Sequence, residues 1–515
     1  MPYQRNLRIA LVIAAALCAA ARAHAFGFDD VVAKAQTMAS HEYEPPKVIP
    51  EFLRNLGYDD YQSIRFRPEA SLWRQGRSRF QVMMVPAGSY YQHAVALNVV
   101  DSEGVHPVPF DRNLFDYPSP ELLKRVPADL GYAGFKLTYP LAGNKDQNQV
   151  LVFAGASYFR GVGAGQQFGM SARGIAVDTG LASGEEFPVF REFWLERPAG
   201  GSDVMVVYGL LDGPSLTGAY RFEVRPGEAL KVHVSARLFF RNRVQQVGLA
   251  PLTSMFFYGE NTLRPRGQWR PQVHDSDGLL IHDQNTDEWL WRPLLNPAAL
   301  QLSYHQVQQL GGFGLIQRDR AFAQFEDSEA RYDLRPSTWV RPGENWGAGE
   351  VVLVEIPTAS EVNDNIVAFW KPAQEVSAGD SRYLTYTLTF GNPEITGEPL
   401  ARAVRTFVGD GSQVGGGSVE GAYRFVVDFE GGTMGRLRQD AAVVSQVSAS
   451  EGARVIEHFA EYIEARHGWR LSVLVQPEDG KEINLRGLLV VDGKPVSETW
   501  TYRLGPSTDL RRATP

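Results

Sequence analysis

Apolar and polar residues alternate with a period of two along most of this chain. Val232, Val234, Ala236 and Leu238 alternate with Lys231, His233, Ser235 and Arg237. Leu384, Tyr386, Leu388 and Phe390 alternate with Tyr383, Thr385, Thr387 and Thr389. Successive side chains of a strand point to opposite faces, so the pattern predicts strands with one buried face. Residues 80–85, 149–153, 204–211 and 422–429 read the same way. Helical spacing is confined to the beginning. Asp29 and Asp30 stand where they can cap a helix reaching Met38, with Val31, Val32, Ala35 and Met38 on one face. Residues 50–57, opening on Pro50 and closing on Gly57, give a second compact helical signal. No strand–helix–strand unit recurs at regular length, which argues against a parallel α/β sheet. The expected fold is all-β, built on a large antiparallel β-sandwich.

The pattern changes near Gly391. Residues 392–399 (NPEITGEP) read as a connector, and 409–418 contain five glycines. Six short strands then follow, at 423–428, 441–447, 454–460, 469–476, 484–491 and 497–503, with a hairpin signal at Asp492-Gly493. This density of strands suits a small immunoglobulin-like β-sandwich without the disulfide of antibody domains. The expected organisation is a signal peptide at 1–25, a large β-sandwich at 26–391, a linker at 392–410 and the immunoglobulin-like domain at 411–515.

Composition refines this picture in three ways. Arg5 and Arg8 precede an apolar run from Ile9 to Ala21, and Ala23-His24-Ala25 supplies a small-x-small cleavage site. These features predict a secretory signal peptide cleaved after Ala25 and export to the periplasm. Asn6-Leu7 separates the two arginines, so the route is Sec-type rather than twin-arginine. The single cysteine, Cys18, lies inside that leader. The mature chain therefore has no disulfide, thiol nucleophile or cysteine metal site, and its stability rests on a large core. Removing Arg5, Arg8 and Arg22 with the leader takes the formal charge from −8 to −11. An acidic chain is a poor match for nucleic acid or anionic lipid and is compatible with a neutral polymer.

Two stretches carry the candidate chemistry. QVHDSDGLLIHDQNTDEWLW (272–291) and the region 331–370 mix Asp and Glu with Trp, Tyr, His and Arg between strand-like segments. Carboxyls do acid and base work, aromatic faces stack on sugars and arginines bind hydroxyls, so the mixture suits a carbohydrate site. The same residues also serve as turns and core, since Asp-Ser-Asp-Gly and Asn-Asp-Asn are turn sequences. Other chemistries are weakly supported. Gly161-Val162-Gly163-Ala164-Gly165 lacks the lysine and the helix of a phosphate loop. There is no Gly-x-Ser-x-Gly elbow and no His-Glu-x-x-His, so no cofactor or metal is expected.

At these residues the chain resembles the periplasmic glucan biosynthesis proteins G and D of Gram-negative bacteria, from about Phe26 to Arg503. The resemblance is carried by GASYFRGVGAGQQFGMSARGIAVDT (155–179), SGEEFPVFREFWLERP (183–198), LLDGPSLTGAYRFEV (210–224) and APLTSMFFYGEN (250–261). It continues in HDSDGLLIH (274–282), EWLWRPL (288–294), RYDLRPSTWV (331–340) and EVNDNIVAFW (361–370). A Sec-type leader fits the G branch. The resemblance implies a β-sandwich followed by an immunoglobulin-like domain, acting on the β-1,2-glucan backbone of osmoregulated periplasmic glucans as an inverting endo-glycoside hydrolase. It assigns Asp364 as general acid, Asp275 as general base, Tyr332 to the proton route and Glu361 as a nearby site carboxylate. Arg335, Trp370, Arg173, Trp291 and His274 are the expected substrate contacts. Asp277 stands where relatives often carry Asn, and a second acid there is expected to raise Asp275. The alternatives are a transglycosylase on the same glucan or a non-catalytic glucan-binding scaffold. A membrane glucan synthase and a second copy of the chain are the candidate protein partners.

Overall fold

The computed structural model describes residues 26–141, 146–344, 346–478 and 480–505, so the predicted leader lies outside the described residues. The chain is all-β, as expected. Two large sheets dominate, one of ten strands and one of fifteen. The alternation at 231–238 and 383–390 falls on paired neighbours: Leu230–Phe240 runs antiparallel to Ser381–Gly391, with Val234 opposite Tyr386. The apolar members of both strands are buried, while Lys231 and His233 face out. Inward side chains of both sheets, among them Phe135, Phe153, Phe222, Val232 and Leu388, form one continuous core. Burying such residues at about 25 cal/mol per Å2 supplies the main driving force for folding.

The first predicted helix is observed at Phe28–Ala39. It lies on the outer face of the fifteen-stranded sheet, where Val31 and Ala35 pack with Trp194, Tyr208 and Phe239. Its start differs from expectation. Gly27 is the capping residue, and the Asp30 carboxylate reaches back to accept from the Gly27 N–H at 2.8 Å. The second helix is one turn, Glu51–Arg54, after Pro50.

All six C-terminal strands expected from the sequence are present, at Ser418–Glu430, Val444–Ala449, Ala453–Ile463, Gly468–Pro477, Ile483–Val491 and Thr499–Leu504. Arg402–Ser412 adds a further strand, beginning inside the segment read as a linker. Four of these strands form a separate sheet, and the others extend the fifteen-stranded sheet through a parallel pairing of Leu290–Trp291 with Thr499–Trp500. A second core follows, in which Trp289, Trp291 and Trp339 pack with Phe425, Trp500 and Tyr502. The Arg318 guanidinium lies 3.5 Å over Trp291, ion-pairs with Glu498 and donates to the Ala403 carbonyl at 2.7 Å. Among the described residues no helix is long and apolar enough to cross a membrane.

Candidate active site

Three loops bring distant residues together. Asp364 precedes the strand Ile366–Pro372. Its neighbour Asn365 is buried, accepts from the Phe256 N–H at 2.8 Å and donates to the Ile356 carbonyl at 3.0 Å. These bonds pin the loop and leave Asp364 half-exposed. Asp275 follows the short strand Val273–His274, and its N–H donates to the Met255 carbonyl at 2.8 Å. Tyr332 opens a single 3-10 turn, Tyr332–Leu334. Before it, Arg331 sits at φ 47°, a left-handed conformation that costs a non-glycine residue energy. A bidentate Arg331–Asp333 pair at 2.9 and 2.8 Å holds that turn. Gln317 ties the loops together, donating to the carbonyls of His274 and Tyr332 at 3.0 and 3.3 Å.

The charged groups pair as cation and carboxylate. Arg335 Nη1 lies 3.1 Å from Asp275 Oδ1, while its other nitrogens donate to the Ala330 carbonyl at 3.2 and 3.0 Å. Arg160, from the strand Tyr158–Gly161, lies 3.6 Å from Asp364 and donates to Ser171 Oγ at 2.7 Å. Arg270 bridges Asp327 at 2.8 Å and Glu361 at 2.5 Å. Burial pushes the Asp275 carboxyl above the usual range. Arg335 opposes that shift, and the charges of Asp364 and Glu361 add to it. Burial raises the Tyr332 phenol, with Glu361 and Asp275 adding to it, so it stays a proton-bearing hydroxyl at neutral pH. Asp327 is held below the usual range, because the amides of Ala330 and Glu329 and the Arg270 guanidinium outweigh its burial.

The sequence thus located five residues that converge here: Asp275, Asp364, Glu361, Tyr332 and Arg335. It missed Arg160, Arg270 and Asp327, which lie in other strands and loops. Four expected sugar contacts are placed otherwise. Trp370 has no exposure and packs on Trp346 in the main core. Trp291 is 3% exposed beneath Arg318. Neither has a free face for a sugar, so both are corrected to core residues. His274 is buried between Phe256 and Phe325, with Nδ1 at 2.9 Å from Gln317 Oε1. The Gln317 amide group already donates to carbonyls, so Nδ1 carries the proton. Burial lowers this imidazole to about 4, leaving it neutral and structural. Arg173 is committed to Glu185 at 2.5 Å and Thr253 at 2.8 Å, with Tyr158 and Phe187 over its guanidinium.

Asp277 also departs from expectation. It lines a small cavity, of about 30 Å3, with Glu260, Asp319, Arg405 and Thr406. Its Oδ2 accepts from the Arg318 and Asp319 N–H groups at 3.0 and 3.4 Å, away from Asp275. Burial and the neighbouring Asp319 push its carboxyl up. The influences on Asp275 come instead from Arg335, Asp364, Arg160 and Glu361. Among the described residues no group of three or more His, Cys, Asp or Glu is arranged to hold a metal ion.

Comparison with known proteins agrees over nearly the whole chain. The family described as "Periplasmic glucan biosynthesis protein, MdoG" matches residues 26–504. "Glucans biosynthesis protein G" of Pseudomonas aeruginosa is 43% identical over 493 residues, covering 94% of each chain. The protein of the same name from Ralstonia nicotianae is 43% identical, covering 95% of this chain and 98% of its own. "Probable glucans biosynthesis protein D" of Shewanella oneidensis is 42% identical, covering 97% of this chain and 93% of its own. G-named and D-named relatives therefore match almost equally.

Proposed function

The chain belongs to the periplasmic glucan biosynthesis protein family, MdoG, and from that premise we propose that it is a periplasmic β-1,2-glucan hydrolase acting endo-fashion with inversion. The observation that carries this reading is a pair of carboxyls in unlike settings: Asp275 buried against Arg335, and Asp364 half-exposed beside Arg160. Glycoside hydrolysis with inversion needs one carboxyl to protonate the leaving oxygen and another to activate water on the opposite face of the sugar. In this reading Asp364 supplies the proton. Asp275 takes a proton from water as the water attacks the anomeric carbon, and the glycosidic bond breaks toward the protonated oxygen. The Tyr332 hydroxyl passes protons between substrate and carboxyl. Glu361, fixed by Arg270, adds negative charge near the developing oxocarbenium. The leader at 1–25 directs the chain to the periplasm.

Burial favours a second assignment with the two roles exchanged, since a carboxyl whose proton is held more tightly is suited to be the acid. Two measurements decide. Mature protein is incubated with linear β-1,2-glucan, and chain length and anomeric configuration are followed. Shorter products of inverted anomer support the hydrolase, whereas redistributed chain lengths without new reducing ends indicate glycosyl transfer to a sugar. Asp364→Asn should lower the rate by about 10²–10⁴-fold, and less on an aryl glycoside whose leaving group needs no proton. If Asp275→Asn alone is spared on the aryl glycoside, the roles are exchanged. A wild-type protein that binds the glucan and leaves it intact would instead support a scaffold.

A further inference from the structure

Three consecutive residues, 317–319, grip the chain on both sides of Asp275. The Gln317 side-chain amide holds the carbonyl of His274 and, with the same group, that of Tyr332. The Arg318 N–H donates to Asp277 Oδ2 at 3.0 Å, and the Asp277 N–H donates to the Ile316 carbonyl at 2.9 Å. The Asp319 carboxylate accepts from the side-chain amide of Gln272. Asp275 thus lies in a short loop that is fastened to one tripeptide before and after it. That tripeptide is fastened in turn to the C-terminal strands. The Arg318 guanidinium, its side chain 4% exposed, pairs with both oxygens of Glu498 and donates to the Ala403 carbonyl. The Ala403 N–H closes the cluster by donating to Glu498 Oε2 at 2.8 Å. A second tie runs beside it. Glu260, just beyond the strand Phe256–Tyr258 that pairs with Val273–His274, accepts from the Thr406 N–H at 2.7 Å and from Arg405 Nη1 at 3.3 Å.

We propose that Arg318 is a positioning residue: by locking 317–319 to the C-terminal strands it sets where Asp275 and Tyr332 stand, so those strands govern the reaction without supplying a catalytic group. The proposal rests on the assignment of Asp275 and Tyr332 to the chemistry. Attachment alone does not call for this arrangement. Packing of Trp289, Trp291 and Trp339 against the C-terminal core already joins the two parts. A buried ion pair adds little to such a joint, because desolvating both charges offsets their attraction. Its two-pronged geometry does fix orientation. Here the residue so fixed is the one whose main chain holds Asp277. Because no catalytic group is lost when the lock is loosened, the effect falls on turnover rather than on binding.

Three variants test this. Arg318→Lys keeps a cation but loses the two-pronged bond. Arg405→Gln, at a half-buried side chain, removes the cation from the second tie. Arg470→Gln is the control, since it breaks a pair with the buried Asp428 that is internal to the C-terminal sheet. For each folded protein, kcat and KM are measured on linear β-1,2-glucan. Amide hydrogen exchange is followed by mass spectrometry in peptides spanning 272–278 and 331–336. Arg318→Lys should lower kcat about 10²-fold, the cost of a displaced reacting group, with KM changed less than about threefold. Both peptides should exchange about tenfold faster. Arg405→Gln should move both readouts the same way by less, and it carries the test alone if Arg318→Lys does not fold. Arg470→Gln should leave both at wild-type values while lowering Tm. Unchanged exchange in the two peptides, faster exchange with unchanged kcat, or equal changes in Arg470→Gln would each overturn the proposal. A wild-type protein that leaves the glucan intact overturns the hydrolase reading, and the exchange measurement then still decides whether the lock holds the two loops.

Discussion

Replacing Arg335 by glutamine removes the cation that faces Asp275 without removing either proposed catalytic carboxyl. At 3.1 Å the two charges attract by about 5 kcal/mol at an effective dielectric of about 20. Both groups are mostly withdrawn from water, with 19% and 6% of their side chains exposed. Breaking one partner of such a pair costs about 3–5 kcal/mol. The loss is capped, because a buried carboxylate deprived of its cation takes up a proton. Burial already raises Asp275 above its unfolded value, and Arg335 is the main opposing influence. In the variant the carboxyl therefore rises further. A group whose folded-state pKa lies above its unfolded one stabilises the fold at low pH and loses that contribution as pH rises. The variant should thus be destabilised most at neutral and alkaline pH and approach wild type on acidification, as read by denaturant unfolding at several pH values. Activity gives a second readout. If Asp275 is the base, the acidic limb of the kcat/KM profile moves to higher pH; if it is the acid, the alkaline limb moves. Gly169→Ala provides a charge-free companion, because a Cβ there would fall 2.8 Å from Arg335 Cδ and force the arginine aside. It should shift the same limb by a smaller amount. Profiles and stability curves that overlay those of wild type from about pH 5 to pH 8 in Arg335→Gln would refute the electrostatic account.

Two further outcomes are expected at the junction with the C-terminal strands. Burial pushes Glu260 up to about 8, with Asp319 next in effect and the Thr406 amide and Arg405 opposing; wild-type Tm should therefore fall as pH rises from about 5 to 9, and Glu260→Gln should flatten that slope. Arg318→Met leaves the fully buried Glu498 without its main cation and should cost about 3–5 kcal/mol in denaturant unfolding at neutral pH. Because Glu498 is held below its usual range in the wild type, with Arg318 the chief influence opposing its burial, the difference between the two proteins should shrink as pH falls.

Period-two alternation located strands such as Leu230–Phe240, whose buried apolar residues alternate with exposed Lys231 and His233, and gave no signal for strands buried on both faces, such as Val247–Ser254. It carried no information on which strands pair, so neither the sheet order nor the parallel contact of Leu290–Trp291 with Thr499–Trp500 was legible. The site divided along similar lines. Asp275, Tyr332, Glu361 and Asp364 were singled out by the family resemblance carried in HDSDGLLIH, RYDLRPSTWV and EVNDNIVAFW. Their supporting arginines were not, since Arg160 and Arg270 meet the carboxyls across long stretches of sequence. The aromatic assignments failed for a specific reason. Trp370 lies in Ile366–Pro372, buried on both faces except at Lys371, and a continuous apolar run does not say which side a ring faces. Asp277 was misplaced because two residues so near in sequence suggest a shared site, while the chain bends at Asp275 and again at Asp277 and sends them to different surroundings.

The parallel pairing near Trp291 has a consequence for biogenesis. The Thr501 hydroxyl donates to the Trp291 carbonyl across 210 residues of sequence, so an edge of the main sheet stays open until the last strands have been made. Contacts so remote in sequence form slowly, and an uncovered strand edge beside tryptophans invites misassociation. Nascent chains should therefore depend on holding factors during folding. Truncation after about residue 391 should yield aggregates rather than a smaller folded protein, because it removes the cover from Trp289, Trp291 and Trp339.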